Sequence, residues 1–135
     1  MPVHQMSCAY PLMVTSHSDR IIHIWNLDKC FKTNTFDPTE VVGSPLGFAT
    51  SAIECFADGK GYAVGSIEGR CGIKFFDYTK TVQDTSLDYC FKCHRKEDLM
   101  AKKGTVWAVN GFSFCQKYGT MMSYGSDGTF TTWNV

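Results

Sequence analysis

Along the chain, short apolar runs break at tight turns and resume as segments in which apolar and polar residues alternate, the period-two signature of strands packed on one or both faces. Three stretches share this plan. The first is Leu12-Met13-Val14-Thr15-Ser16, the turn His17-Ser18-Asp19-Arg20, then Ile21-Ile22-His23-Ile24-Trp25-Asn26. The second is Tyr62-Ala63-Val64-Gly65-Ser66, the turn Ile67-Glu68-Gly69-Arg70, then Cys71-Gly72-Ile73-Lys74-Phe75. The third is Thr120-Met121-Met122-Ser123-Tyr124-Gly125-Ser126, the turn Asp127-Gly128, then Thr129-Phe130-Thr131-Thr132-Trp133-Asn134. After each turn, Ile22/Ile24, Cys71/Ile73 and Phe130/Thr132 fall on one face, while Trp25 and Trp133 take the other. Each unit is therefore expected to be packed between neighbours.

Preceding strands recur as well: Ser51–Phe56 before the Asp58-Gly59 turn, and Val106–Phe114 before Gly119. A repeat of this kind fits a propeller blade, and the turn acids Asp19, Glu68 and Asp127 mark equivalent points in successive units. Their spacing exceeds the ~40–45 residues of a plain blade, with the excess in loops. The pattern predicts an all-β fold of about three propeller blades, divided 1–28, 29–77 and 78–135. The first blade is expected to be incomplete at its start, and the chain to be cut at both ends relative to its own repeat. Residues 28–47, with Pro38 and Pro45, are expected to link the first two blades, and 94–104 to form a charged loop before the last. Nothing marks a second domain. An open arc of blades would leave apolar faces and strand edges to be covered by association.

Composition sharpens this picture in two ways. Thirteen basic residues balance thirteen acidic ones, so no overall field favours a nucleic-acid backbone. The start of the chain lacks the basic and apolar segments of a secretion signal, and no apolar run approaches the ~20 residues that span a bilayer. These features predict a protein without membrane insertion. The seven cysteines are odd in number and mostly sit singly in apolar strands, as reduced thiols behaving as small hydrophobes do.

Candidate chemistry is sparse. Cys90-Phe91-Lys92-Cys93-His94 spells the C-x-x-C-H attachment signature of c-type haem and offers three metal ligands, with Cys115 as the nearest fourth. It lies in a predicted strand without an axial-ligand setting, so no metal or cofactor is expected. His4, His17, His23 and His94 are scattered, with no nucleophile elbow and no phosphate-cradling loop; no enzymatic activity is expected. Trp25 and Trp133 could stack on bases, but their place in the period already explains them as packing between blades.

Four strings, Gly65-Ser66-Ile67-Glu68-Gly69-Arg70, Phe91-Lys92-Cys93-His94-Arg95, Ala108-Val109-Asn110-Gly111 and Gly125-Ser126-Asp127-Gly128, occur in that order. In them the chain resembles the WD-repeat mRNA export factors that dock on the nuclear pore, from about Tyr10 to Val135. The related spindle-checkpoint WD-repeat propellers share the first two strings. Ala-Val-Asn-Gly ahead of Phe112-Ser113-Phe114, Tyr10-Pro11 and Ser44-Pro45-Leu46 look more like the export factors. The resemblance implies a seven-bladed ring that grips a GLEBS-type peptide of a nucleoporin or, in the relatives, of checkpoint kinases. It also implies residence in the nucleus and at the pore with shuttling to the cytoplasm, and RNA association only indirectly. It assigns Arg95 to the rim, pairing with partner carboxylates, and Phe114 to a small pocket for apolar partner side chains. Arg70, following Glu68-Gly69, could serve the same face as Arg95 or make a structural hydrogen bond to the turn. The sequence departs from the family in the short loop Lys96–Lys103 and in Cys115-Gln116, where His-Pro is usual.

Overall fold

A computed structural model describes residues 2–135. It contains strands β1 (Val3–Ala9), β2 (Leu12–His17), β3 (Ile21–Asn26), β4 (Glu40–Gly43), β5 (Thr50–Cys55), β6 (Gly61–Ser66), β7 (Arg70–Phe75), β8 (Tyr89–Lys92), β9 (Arg95–Asp98), β10 (Lys103–Val106), β11 (Val109–Cys115), β12 (Thr120–Gly125) and β13 (Phe130–Asn134). One short helix, α1 (Leu27–Thr33), follows β3. The strands form two four-stranded sheets, β1–β4 and β5–β8, a three-stranded sheet β11–β13, and the separate hairpin β9–β10. Every pairing joins antiparallel neighbours in chain order.

Two apolar seams hold the sheets together. Leu12, Val14, Ile22 and Ile24 of the first sheet meet Ile53, Cys55, Tyr62 and Val64 of the second. On the opposite face of the second sheet, Ala63, Cys71 and Ile73 meet Val109, Phe112 and Met121 of the third. Each fully buried aliphatic side chain contributes ~1.5–3 kcal/mol, so the alternation in β2, β3, β6 and β7 translates directly into stacking of sheets. Trp133 takes part in the second seam, with its ring centroid 4.6 Å from that of Phe91. Trp25 is half-buried on the outward face of the first sheet, away from both seams. Phe130 and Thr132 lie on the outward face of the third sheet, where Phe130 is 70% exposed. Among the described residues, Trp133 thus packs between two sheets, whereas Trp25, Phe130 and Thr132 face outward from the first and last sheets.

Strand boundaries differ from expectation in instructive places. The divisions at 28/29 and 77/78 fall between the third and fourth strands of the first two sheets, because β4 and β8 pair back on β3 and β7. Both fourth strands are short and largely exposed, so they carry little apolar signal. The first sheet is also not short at its start: β1 pairs with β2 over its length. Inward Ser7 bonds to the next sheet, its Oγ donating to Glu54 (3.0 Å) and accepting from the Cys55 amide (2.9 Å), while Ala9 packs against the first seam. Within 28–47, α1 is capped by the Asn26 side chain, which accepts from the Lys29 amide, and ends at Asn34 in the left-handed region. Finally, 94–104 forms most of a hairpin rather than a loop, and Trp107-Ala108 separates β10 from β11.

Candidate partner-binding face

The three turns that connect second to third strands lie at one end of the sheets, stitched to the linkers between sheets. The Ser44 amide donates to Arg20 O (2.7 Å) and the Ile67 amide to Ala49 O (3.1 Å), which ties the 44–49 linker to the first two turns. The Cys93 amide donates to Gly69 O (2.9 Å), the Trp107 amide to His94 O (3.1 Å) and the Ser126 amide to Ala108 O (3.0 Å), which ties the 93–108 segment to the second and third. Asp19, Glu68 and Asp127 all stand on this end, as their common place in the repeat predicts.

Arg95 sits here, half-buried, where β9 leaves the second sheet. Its Nη2 donates to the carbonyls of Glu68 (3.1 Å) and Gly69 (2.8 Å), so the guanidinium is anchored on the second turn. Its Nη1 makes no bond among the described residues. Beside it Arg70 Nε lies 3.2 Å from Glu68 Oε1, with both side chains partly open to solvent. Arg95 and Arg70 thus share one corner, organised around Glu68-Gly69. The hairpin β9–β10 continues from Arg95 to an exposed tip at Leu99 and Met100, with Lys96, Lys102 and Lys103 exposed along it.

Phe114 belongs elsewhere. Strand β11 has its start, Val109, opposite Gly125 at the turn end and its finish, Cys115, opposite Thr120 at the other. Five residues of extended chain put Phe114 ~17 Å along the strand from Val109. There Phe114 packs edge-on against Phe56 (5.2 Å between centroids) and, with Phe75, lines a cleft of about 460 Å³. The two residues assigned to one site by resemblance are at opposite ends of the blade.

Only the end of the C-x-x-C-H string, Cys93 and His94, is buried. Cys90 is exposed, while Cys93 is buried, and burial pushes its thiol up to about 11 despite the opposing charge of Arg95. His94 is buried with both ring nitrogens engaged: Nδ1 lies 3.0 Å from Asp127 Oδ1 and Nε2 lies 2.9 Å from Ser123 Oγ, which also accepts from Trp133 Nε1 at 2.9 Å. A proton on His94 Nδ1, with the Ser123 hydroxyl donating to Nε2, satisfies every partner in this chain. Burial works against the Asp127 carboxylate, but hydrogen bonds from Thr129 and His94 outweigh it and hold its pKa below the ordinary value. Asp127 and Trp133 stand out in the sequence as repeat positions, whereas no local pattern marks that His94 and Ser123 join them.

Comparison with known proteins places this geometry. No family model matches the chain. Over 98% of its length it is 36% identical to the Poly(A)+ RNA export protein of Schizosaccharomyces pombe, covering 34% of that protein. It is 33% identical to the Mitotic checkpoint protein BUB3.1 of Arabidopsis thaliana, again over 98% of the chain and 36% of the relative. The chain therefore spans about a third of the length of these relatives. A chain in the crystal structure of the Mitotic Checkpoint Complex superposes with a TM-score of 0.66 at 13% identity, covering 98% of this chain and 34% of that one. The sheets are blades of a partial β-propeller.

Proposed function

Starting from a chain that is a WD40-repeat homologue of mRNA export and mitotic checkpoint proteins, we propose that it is a non-enzymatic scaffold in nuclear mRNA export that docks a GLEBS-type nucleoporin peptide on its turn face. The observation that carries this reading is Arg95: two backbone carbonyls hold its guanidinium in place through one nitrogen and leave Nη1 for a partner carboxylate. A guanidinium fixed in advance loses little freedom on binding. Arg70 extends the same corner. Phe114, at the other end, would take an apolar side chain only from a segment that runs the length of the blade. The protein would act in the nucleus and at the pore, and meet RNA through its partners.

The similarity to BUB3.1 supports a second reading, a checkpoint adaptor that binds kinase peptides on the same corner. Fluorescence anisotropy with a synthetic GLEBS peptide of each type separates the two. Tighter binding of the nucleoporin peptide is expected, with Arg95→Glu weakening it tenfold or more in a sample whose circular dichroism is unchanged. Equal affinity of the folded Arg95→Glu chain would remove Arg95 from the site.

A further inference from the structure

The linker between the first two sheets carries a motif that docking does not use. The chain has four prolines, preceded by Met1, Tyr10, Asp37 and Ser44, so Ser44-Pro45 is its one serine or threonine directly before proline. The segment Pro45–Ala49 is exposed apart from Leu46, which is buried at 3% and pins the middle of the loop. Ser44 is half-buried, its Oγ accepting from the Leu46 amide at 3.1 Å, a local turn bond that a small opening of the linker would release. An exposed stretch tethered at one point is the kind of backbone a modifying enzyme can draw into extended form.

Arg20 stands against this serine. Its carbonyl accepts from the Ser44 amide at 2.7 Å, and its Nη1 donates to Leu46 O at 3.1 Å, so the guanidinium and the Ser44 hydroxyl address the two ends of the same residue. Arg20 has φ 61°, the left-handed region, at the place where the other two turns have Gly69 (φ 67°) and Gly128 (φ 78°). A non-glycine residue there costs on the order of 1 kcal/mol, so the first turn keeps an arginine at some expense. The cleft beside it, about 620 Å³, is also lined by His4, His17, Asp19, Phe48 and Thr50.

We propose that Ser44 is a phosphorylation site for a proline-directed protein kinase and that Arg20 receives the phosphate. In the transfer the Ser44 Oγ attacks the γ-phosphorus of ATP, the bond from that phosphorus to the β,γ-bridging oxygen breaks, ADP leaves, and the hydroxyl proton passes to the kinase's base. The product adds roughly two negative charges to the end that carries Arg70 and Arg95. The assignment does not depend on which peptide that end binds.

The test treats the full chain with a cyclin-dependent kinase and ATP. One phosphate is expected by intact mass, mapped to Ser44 by fragmentation and missing in Ser44→Ala. Phosphorus NMR then follows titration of the phosphoserine in the wild type and in Arg20→Gly, a variant that gives this turn the glycine of the other two. Pairing with Arg20 predicts an apparent pKa about one unit lower in the wild type than in the variant. Failure of Ser44 to accept phosphate would overturn the site, and coincident titration curves would overturn the role of Arg20.

Discussion

Two imidazoles occupy corresponding places in the first and third sheets and reach them by different routes. In the third sheet His94 comes from the segment before β11, and Gly125 makes room for it: a Cβ at Gly125 would lie 2.7 Å from His94 Nδ1. In the first sheet the residue in the position of Gly125 is His17 itself, whose Nε2 lies 2.8 Å from Thr15 Oγ1, which accepts from Trp25 Nε1 at 3.3 Å. The same chain of tryptophan, hydroxyl and imidazole results, ending on Asp127 in one sheet and on the Pro2 carbonyl in the other. Gly125→Ala is therefore expected to cost ~1–3 kcal/mol in urea unfolding. The cost should shrink when His94→Ala is added, because the side chain it collides with is gone. The Asp127 carboxylate makes a separate prediction. Its folded pKa lies below the ordinary 3.8, so its contribution to stability is complete above that value and is lost as pH falls through the depressed one. The urea midpoint should drop in that acid range, and Asp127→Asn should drop less steeply.

At the scale of elements, the turns show how one backbone shape serves different neighbours. Gly69 and Gly128 are both left-handed, so alanine at either costs on the order of 1 kcal/mol. A Cβ at Gly128 would meet nothing within 4 Å, whereas one at Gly69 would collide with the Cys93 carbonyl. Gly69→Ala should thus lower the melting temperature well beyond Gly128→Ala, and equal shifts would mean that the 93–108 segment is not seated on the second turn. This seat explains what was legible in the chain. The pairs β2/β3, β6/β7 and β12/β13 announce themselves because buried faces demand alternation and the turns demand Gly or Asp. The strands β4 and β8 bury little, so nothing in their sequence distinguishes them from linker. The charged hairpin β9–β10 reads as a loop for the same reason. The sequence places Arg95 at a loop start after a strand, but its anchorage on Glu68 and Gly69 is a contact across 26 or 27 residues that no local pattern encodes. Phe114 shared its assignment by resemblance alone, and the direction of β11 separates the two.

For the molecule as a whole, a stack of sheets uses the same strand position differently according to what lies beside it. Ile73 of the second sheet and Thr132 of the third are equivalent, as are Cys71 and Phe130, since Gly65 pairs with Cys71 as Tyr124 does with Phe130. Ile73 is fully buried in the seam with the third sheet, while Phe130 is 70% exposed on the outward side. Removing the Ile73 side chain opens a cavity between two sheets and should cost ~2–5 kcal/mol. Phe130→Ala, which takes an equivalent apolar group off an open face, should stay within ~0.5 kcal/mol in dilute solution. Both side chains lie on the same face of equivalent strands, one with a neighbouring sheet against it and one without. A large cost for Phe130→Ala would show that its face is covered in solution, in which case the cost should also rise with protein concentration if the cover is another copy of the chain.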